Sequence, residues 1–344
     1  MDNFLEFIGH HKDINIVEKV LDLDYMKKEI MKTIKETDDV ETVINVFNQL
    51  YKNKFETVLD IFVAKQRLQK VNNLSEVMRN EILKYSDFEI SLDLISEIKN
   101  GNSLINESKL LSSNKGNLLN IVTPKFKKLL EKVIRRTIEF KRSGGDEGPG
   151  EITLEVLSPI ISKASVGDLI IGSERVEVKG TRSRMISSKK SYGSVAKELP
   201  KLTEYFNEIG FTQTKTFSFG MNNIQSINDF IKENKSKAKG ISERISLFFE
   251  NMFGDDKFWK NVYDERKAVI DIKNWRLNMF KYLFEMYKSE DGFDGILFLN
   301  KKSLDYIYIK SANDLAKNFK SFTANWGPYF ATQRTAGVEQ LWLT

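Results

Sequence analysis

Apolar residues recur three and four apart along residues 17–34 (VEKVLDLDYMKKEIMKTI) and 40–68 (VETVINVFNQLYKNKFETVLDIFVAKQRL). That is the spacing of helices that bury one stripe. The pattern runs to about residue 110, so residues 1–110 read as an all-helical N-terminal domain. Residues 100–117 (NGNSLINESKLLSSNKGN) are polar and rich in Gly, Ser and Asn, the texture of a connector. A basic amphipathic helix is predicted from Pro124, a residue that suits a first helical turn. Its apolar face is Leu129, Leu130, Val133, Ile134 and Ile138, and its charge comes from Lys127, Lys128, Lys132, Arg135, Arg136, Lys141 and Arg142.

After Gly144-Gly145 the period changes. Residues 152–164 read as partly helical, while DLIIG (168–172) and RVEVKG (175–180) are short β runs. Residues 198–210 and most of 226–288 return to the helical period, with a Lys-rich break at 232–240. FDGILFLN (293–300) and LDYIYIK (304–310) read as strands, and the aromatic tail from Asn325 as a further one. No internal repeat is visible. This order predicts an α/β domain over 111–344, with a helical insertion around 226–288.

Composition narrows the chemistry by exclusion. With 344 residues the chain can bury a substantial core. Zero cysteines remove disulfides, thiolate metal sites and a Cys nucleophile. The two histidines, His10 and His11, are adjacent, so on a helix they point apart and serve poorly as a metal pair. A net charge of +5 does not announce a nucleic-acid binder and leaves that question to local patches. The start of the chain does not read as a signal peptide and no apolar run is long enough to span a bilayer. The expected setting is cytoplasmic; the Lys, Asn and Ile richness fits a phage or low-GC bacterial source. GGDEGPG (144–150) lacks the Gly-Lys-Ser/Thr ending of a P-loop. Asp291 and Asp294 are too distant along the chain to be assigned.

The one constellation with chemistry is GDLIIGSERVEVKG, residues 167–180. Gly172-Ser173 makes a two-residue hairpin loop. That register sets Ile171 opposite Glu174, Leu169 opposite Val176 and Asp168 opposite Glu177. Alternation then puts Leu169, Ile171, Val176 and Val178 on a core face, with Glu174 at the turn. Asp168, Ile170, Arg175, Glu177 and Lys179 share the other face. Opposed carboxylates on adjacent strands want a cation between them. Lys179 is one, and a divalent metal with oxygen ligands is a better one. Such a metal would stabilise charge on a phosphate, with Lys179 positioning or deprotonating a water or offsetting transition-state charge.

Gly167-Asp168, a short gap and Glu177-Val178-Lys179 resemble the PD-(D/E)XK nuclease superfamily, with Gly167 where the family has Pro. The resemblance implies a restriction-endonuclease-like mixed central sheet flanked by helices. It makes Asp168 and Glu177 metal ligands, adds the Val178 carbonyl, and makes Lys179 the residue that assists the attacking water. Gly148-Pro149-Gly150-Glu151 matches the family's upstream helical acid, so Glu151 is expected as a fourth catalytic and metal-binding member, with Glu155 one turn on as the fallback. Arg182, Arg184, Lys189 and Lys190 follow the Glu-Val-Lys strand where cations would hold a DNA backbone. The activity implied is that of a Mg²⁺-dependent DNA endonuclease, Mn²⁺ serving as substitute, and a homodimer would supply two cuts. The alternative is a nucleic-acid-binding or phage structural protein that keeps the fold without turnover.

Overall fold

The computed structural model describes residues 90, 93–94, 97, 100–112, 115–139, 148–180, 192–211, 221–324, 329–330, 336–337 and 341–343. The expected helical domain before residue 90, His10 and His11, and the basic residues Arg182, Arg184, Lys189 and Lys190 lie outside the described residues.

The elements are α1 (Glu107–Leu110), β1 (Gly116–Asn117), α2 (Lys127–Ile138), α3 (Pro149–Leu157), β2 (Ser162–Lys163), β3 (Leu169–Ile171) and β4 (Glu174–Lys179). A helical run follows: α4 (Tyr192–Glu208), α5 (Met221–Glu233), α6 (Ala238–Phe253) and α7 (Lys257–Val262). A small ribbon, β5 (Tyr263–Asp264) with β6 (Val269–Ile270), leads into α8 (Trp275–Asp291). Then come β7 (Gly295–Leu299), β8 (Asp305–Ile309), α9 (Ala312–Asn318) and four short strands, β9 (Phe322–Ala324), β10 (Tyr329–Phe330), β11 (Ala336–Gly337) and β12 (Leu341–Leu343).

By contacts the chain divides into two compact units. The smaller holds α2, whose apolar face is the predicted one. Leu129, Leu130, Val133, Ile134 and Ile138 are all buried, as is Phe126 in the short 3-10 turn that Pro124 opens. Lys127, Lys128, Lys132, Arg135 and Arg136 stay exposed, and Arg135 pairs with Glu131 at 2.9 Å. Fixed φ at Pro124 and a stripe at helical spacing are enough to explain this element.

The larger unit is α/β: a six-stranded mixed sheet flanked by helices, in the order β1-β8-β7-β4-β3-β2. Only the central pair, β4 and β7, is parallel. Parallel neighbours need a crossover, and here the chain between them carries α4 through α8. The helical insertion therefore begins earlier than residue 226 and is the crossover itself. Its apolar side chains share one core with Ile296, Phe298, Ile307 and Ile309 of the sheet, so α8 and its neighbours cover that face.

Residues 106–122 correct the connector reading. They belong to this unit, bury Leu110 and Leu118, and supply the sheet's edge strand. Their polar residues have structural work. Asn106 caps α1 by accepting from the Lys109 N–H at 2.9 Å, and the Asn117 amide donates to the Ser303 carbonyl and to Asp305 Oδ1, both at 2.8 Å. Gly116 leaves room for an aromatic ring, since a Cβ there would lie 2.5 Å from the Tyr306 ring. Among the described residues, no helix is long and apolar enough to cross a membrane.

Candidate active site

Two glycines set the geometry of the hairpin. Gly172 has φ +63°, the left-handed value that a primed two-residue turn demands. The resulting register is the predicted one at Ile171 opposite Glu174 and Leu169 opposite Val176, but the expected third pair, Asp168 opposite Glu177, is not in the ladder: β3 begins at Leu169, and the Asp168 N–H bonds the Val176 carbonyl. Gly167 has φ +74°, and a Cβ there would crowd the Val176 carbonyl oxygen at 3.3 Å. Proline holds φ near −65°, so it could not take this conformation. The departure from the Pro-Asp pattern at 167 thus has a backbone cause.

Alternation along the hairpin is as sharp as the sequence implied. Leu169, Ile171, Val176 and Val178 are buried, at 9% exposure or less. The opposite face is not open to solvent either, because α8 lies over it: Glu177 is only 8% exposed, while Arg175 is exposed and Asp168 and Lys179 are intermediate.

At Asp168 the strand ladder gives way to a side chain. The Asp168 N–H donates to the Val176 carbonyl at 3.0 Å, and the Val178 N–H donates to Asp168 Oδ2 at 2.7 Å. Along a strand the N–H and C=O of one residue point the same way, so the Val178 carbonyl also faces the Asp168 side. Glu177 is held through Oε1 alone, which accepts from Lys179 Nζ and from the Tyr287 hydroxyl, both at 2.5 Å. Lys179 Nζ also lies 5.1 Å from the centre of the Tyr287 ring. Among the described residues no donor reaches Asp168 Oδ1 or Glu177 Oε2. Each carboxylate therefore has one oxygen anchored and one open.

The electrostatics agree with an unfilled need for positive charge. Burial, then the neighbouring Glu177 charge, pushes the Asp168 carboxyl up from 3.8 to about 6, against the Val178 hydrogen bond and Lys179. Burial and Glu177 likewise push the Tyr287 hydroxyl up, so it remains a donor at any physiological pH.

Glu151 is in the first turn of α3 and is buried, but its Oε1 lies 2.7 Å from where a Cβ on Gly148 would be. The side chain therefore lies back over the residue before its own helix. Among the described residues no three acidic or histidine side chains form a metal-binding group. Glu151 and Glu155 are thus not gathered with Asp168 and Glu177 into one cluster. The donor set still fits Mg²⁺, which takes one or two carboxylates and completes its shell with waters and substrate phosphate.

Two contributors were not read from the sequence. Tyr287 sits on the apolar face of α8 beside Leu283 and Phe284, where nothing in the spacing marks it out. Asp294, just before β7, clamps Arg175: it accepts from the Arg175 backbone N–H at 2.8 Å, Nε at 3.1 Å and Nη2 at 3.0 Å. Only the bare acid ahead of an apolar strand hinted at it. No protein-family model, curated protein or solved structure matches the chain.

Proposed function

We propose that this protein is a Mg²⁺-dependent endonuclease of PD-(D/E)XK type that hydrolyses DNA phosphodiester bonds, with its site at the end of β4. The observation that carries the reading is the pair of open oxygens, Asp168 Oδ1 and Glu177 Oε2, beside a lysine already tied to one of the two acids. Those oxygens and the Val178 carbonyl would hold the metal. Bound there, Mg²⁺ would supply the positive charge the two acids lack and stabilise charge developing on the phosphate. Lys179 positions the attacking water through its ammonium and offsets charge in the transition state. The water oxygen forms the new bond to phosphorus and gives up a proton to solvent, the bond to the 3′-oxygen breaks, and that oxygen takes a proton from solvent as it leaves. The products are a 5′-phosphate and a 3′-hydroxyl. Arg182, Arg184, Lys189 and Lys190 follow β4 in the chain and would grip the phosphate backbone. The choice of DNA, the restriction-endonuclease-like fold and a role for Glu151 rest on the motif resemblance. Cutting both strands would take two sites, hence a homodimer.

The test is plasmid cleavage with Mg²⁺ by the full chain and by Asp168→Ala and Lys179→Ala. The reading expects nicking or linearisation by the parent and its loss in both variants. Undiminished cleavage by either variant sinks the assignment. A parent that binds DNA equally well in EDTA and nicks nothing under any divalent metal would instead be a non-catalytic binder.

A further inference from the structure

A buried tyrosine hydroxyl wants a partner, and a nearby carboxylate would satisfy it without further meaning. Tyr287 does more than find a partner. Its hydroxyl and its ring engage two different members of the site, Glu177 and Lys179. Its donor converges on the glutamate oxygen that the lysine also uses. With Lys179 alone, the Glu177 carboxylate could turn about its last torsion and exchange its two oxygens, because that torsion is broad and roughly two-fold. Two donors arriving from separate elements, β4 and α8, select one orientation.

The helix that presents Tyr287 is itself tied to the strand it serves. Phe293 packs edge-on against the Tyr287 ring at 4.9 Å. The Asp294 N–H donates to the Arg175 carbonyl at 2.7 Å, and the Asp294 carboxylate clamps the Arg175 backbone and guanidinium. From there β7 runs parallel to β4, pairing Ile296 with Glu177. The turn after α8 is therefore stapled to β4 two residues before Glu177, and the reach from Tyr287 to Glu177 is fixed at both ends.

We infer that Tyr287 is a positioning residue for the β4 site: by holding Glu177 through Oε1 and supporting the Lys179 ammonium with its ring, it keeps Glu177 Oε2 presented for a divalent cation. The inference rests on reading the site as a metal site. It adds that the helical crossover, remote in sequence from the hairpin, is part of the working site. Tyr287→Phe removes only the hydroxyl and keeps the ring beneath Lys179. Tyr287→Leu removes both.

The experiment is Mn²⁺ binding to the full chain without DNA, followed by electron paramagnetic resonance, alongside cleavage as a function of Mg²⁺. Tyr287→Phe should unfold within about 2–4 °C of the parent, since one hydrogen bond is lost. Its Mn²⁺ affinity should fall about tenfold, the usual effect of losing a residue that orients a ligand. The Mg²⁺ needed for half-maximal cleavage should rise by the same factor, with the rate at saturating metal much less affected. Tyr287→Leu should lower that saturating rate as well. A companion measurement leaves the packing alone: 3-fluorotyrosine placed at 287 should show a ¹⁹F resonance that shifts with Mg²⁺, and should not shift in a Glu177→Gln background. A folded Tyr287→Phe with parental Mn²⁺ affinity, or a fluorine signal blind to metal, overturns the role of Tyr287 alone. A parent that binds no Mn²⁺ overturns the metal reading and this inference with it.

Discussion

Strand β4 carries the same trio at both of its ends. At the turn end, Glu174 meets Tyr308 and Lys310; at the other end, Glu177 meets Tyr287 and Lys179. In each trio the lysine ammonium also lies near the tyrosine ring, 5.7 Å from its centre in the first and 5.1 Å in the second. The difference is in the oxygens. Glu174 gives Oε2 to Tyr308 and Oε1 to Lys310, so both are used. Glu177 gives Oε1 to both donors and keeps Oε2 open, and a second carboxylate, Asp168, stands beside it. The first trio is a completed clasp. The second leaves one oxygen of Glu177 without a donor among the described residues, which is the feature the proposed metal site would use.

The largest effects should come from breaking the second trio. Glu177→Gln or Asp168→Ala should lower Mg²⁺-dependent cleavage about a thousandfold, several kcal/mol of transition-state stabilisation, measured as initial rates at saturating DNA. Lys179→Met should cost about a hundredfold, in the range for a group that positions or moves a proton.

Stability should move the other way at the two ends. Burial and the Glu177 charge push the Asp168 carboxyl up to about 6 in the folded chain, from its ordinary 3.8, so its ionised form is disfavoured by folding. The penalty is absent below about pH 4, grows as pH rises through about 6, and is complete above it. Asp168→Asn keeps an acceptor for the Val178 N–H. In metal-free buffer above pH 6 it should stabilise the protein by about 1–2 kcal/mol, the shift being discounted for partial solvent exposure. Below pH 4 the gain should vanish. Urea melts at pH 4 and pH 8 measure both. The matching change in the clasp, Glu174→Gln, should destabilise by about 0.5–1 kcal/mol at pH 8 and leave cleavage within about twofold of the parent.

How much of this could be read from the chain follows from sequence distance. The hairpin is local: Gly172, the alternation from Leu169 to Lys179 and the two-residue loop fix the register without help from elsewhere. The stripe of α2 is legible for the same reason. The partners of the site are not local. Tyr287 arrives from 110 positions away, on a helix face where it looks like any other core aromatic. Asp294 becomes the clamp of Arg175 only once β7 pairs with β4. Residues 106–117 misled because their asparagines serve caps and cross-strand bonds, while their polarity alone resembles a loop. Glu151 carried a motif position, and the direction of its side chain, with Oε1 close over Gly148, is a rotamer that sequence does not encode.

The most direct measurement sets the two ends of β4 against each other on one substrate. Supercoiled plasmid is incubated with Mg²⁺ and the parent, Glu177→Gln or Glu174→Gln, and the ends are mapped. The account predicts 5′-phosphate and 3′-hydroxyl ends from the parent and from Glu174→Gln, and none above background from Glu177→Gln. Equal cleavage by the two variants, or no cleavage by the parent, would contradict it.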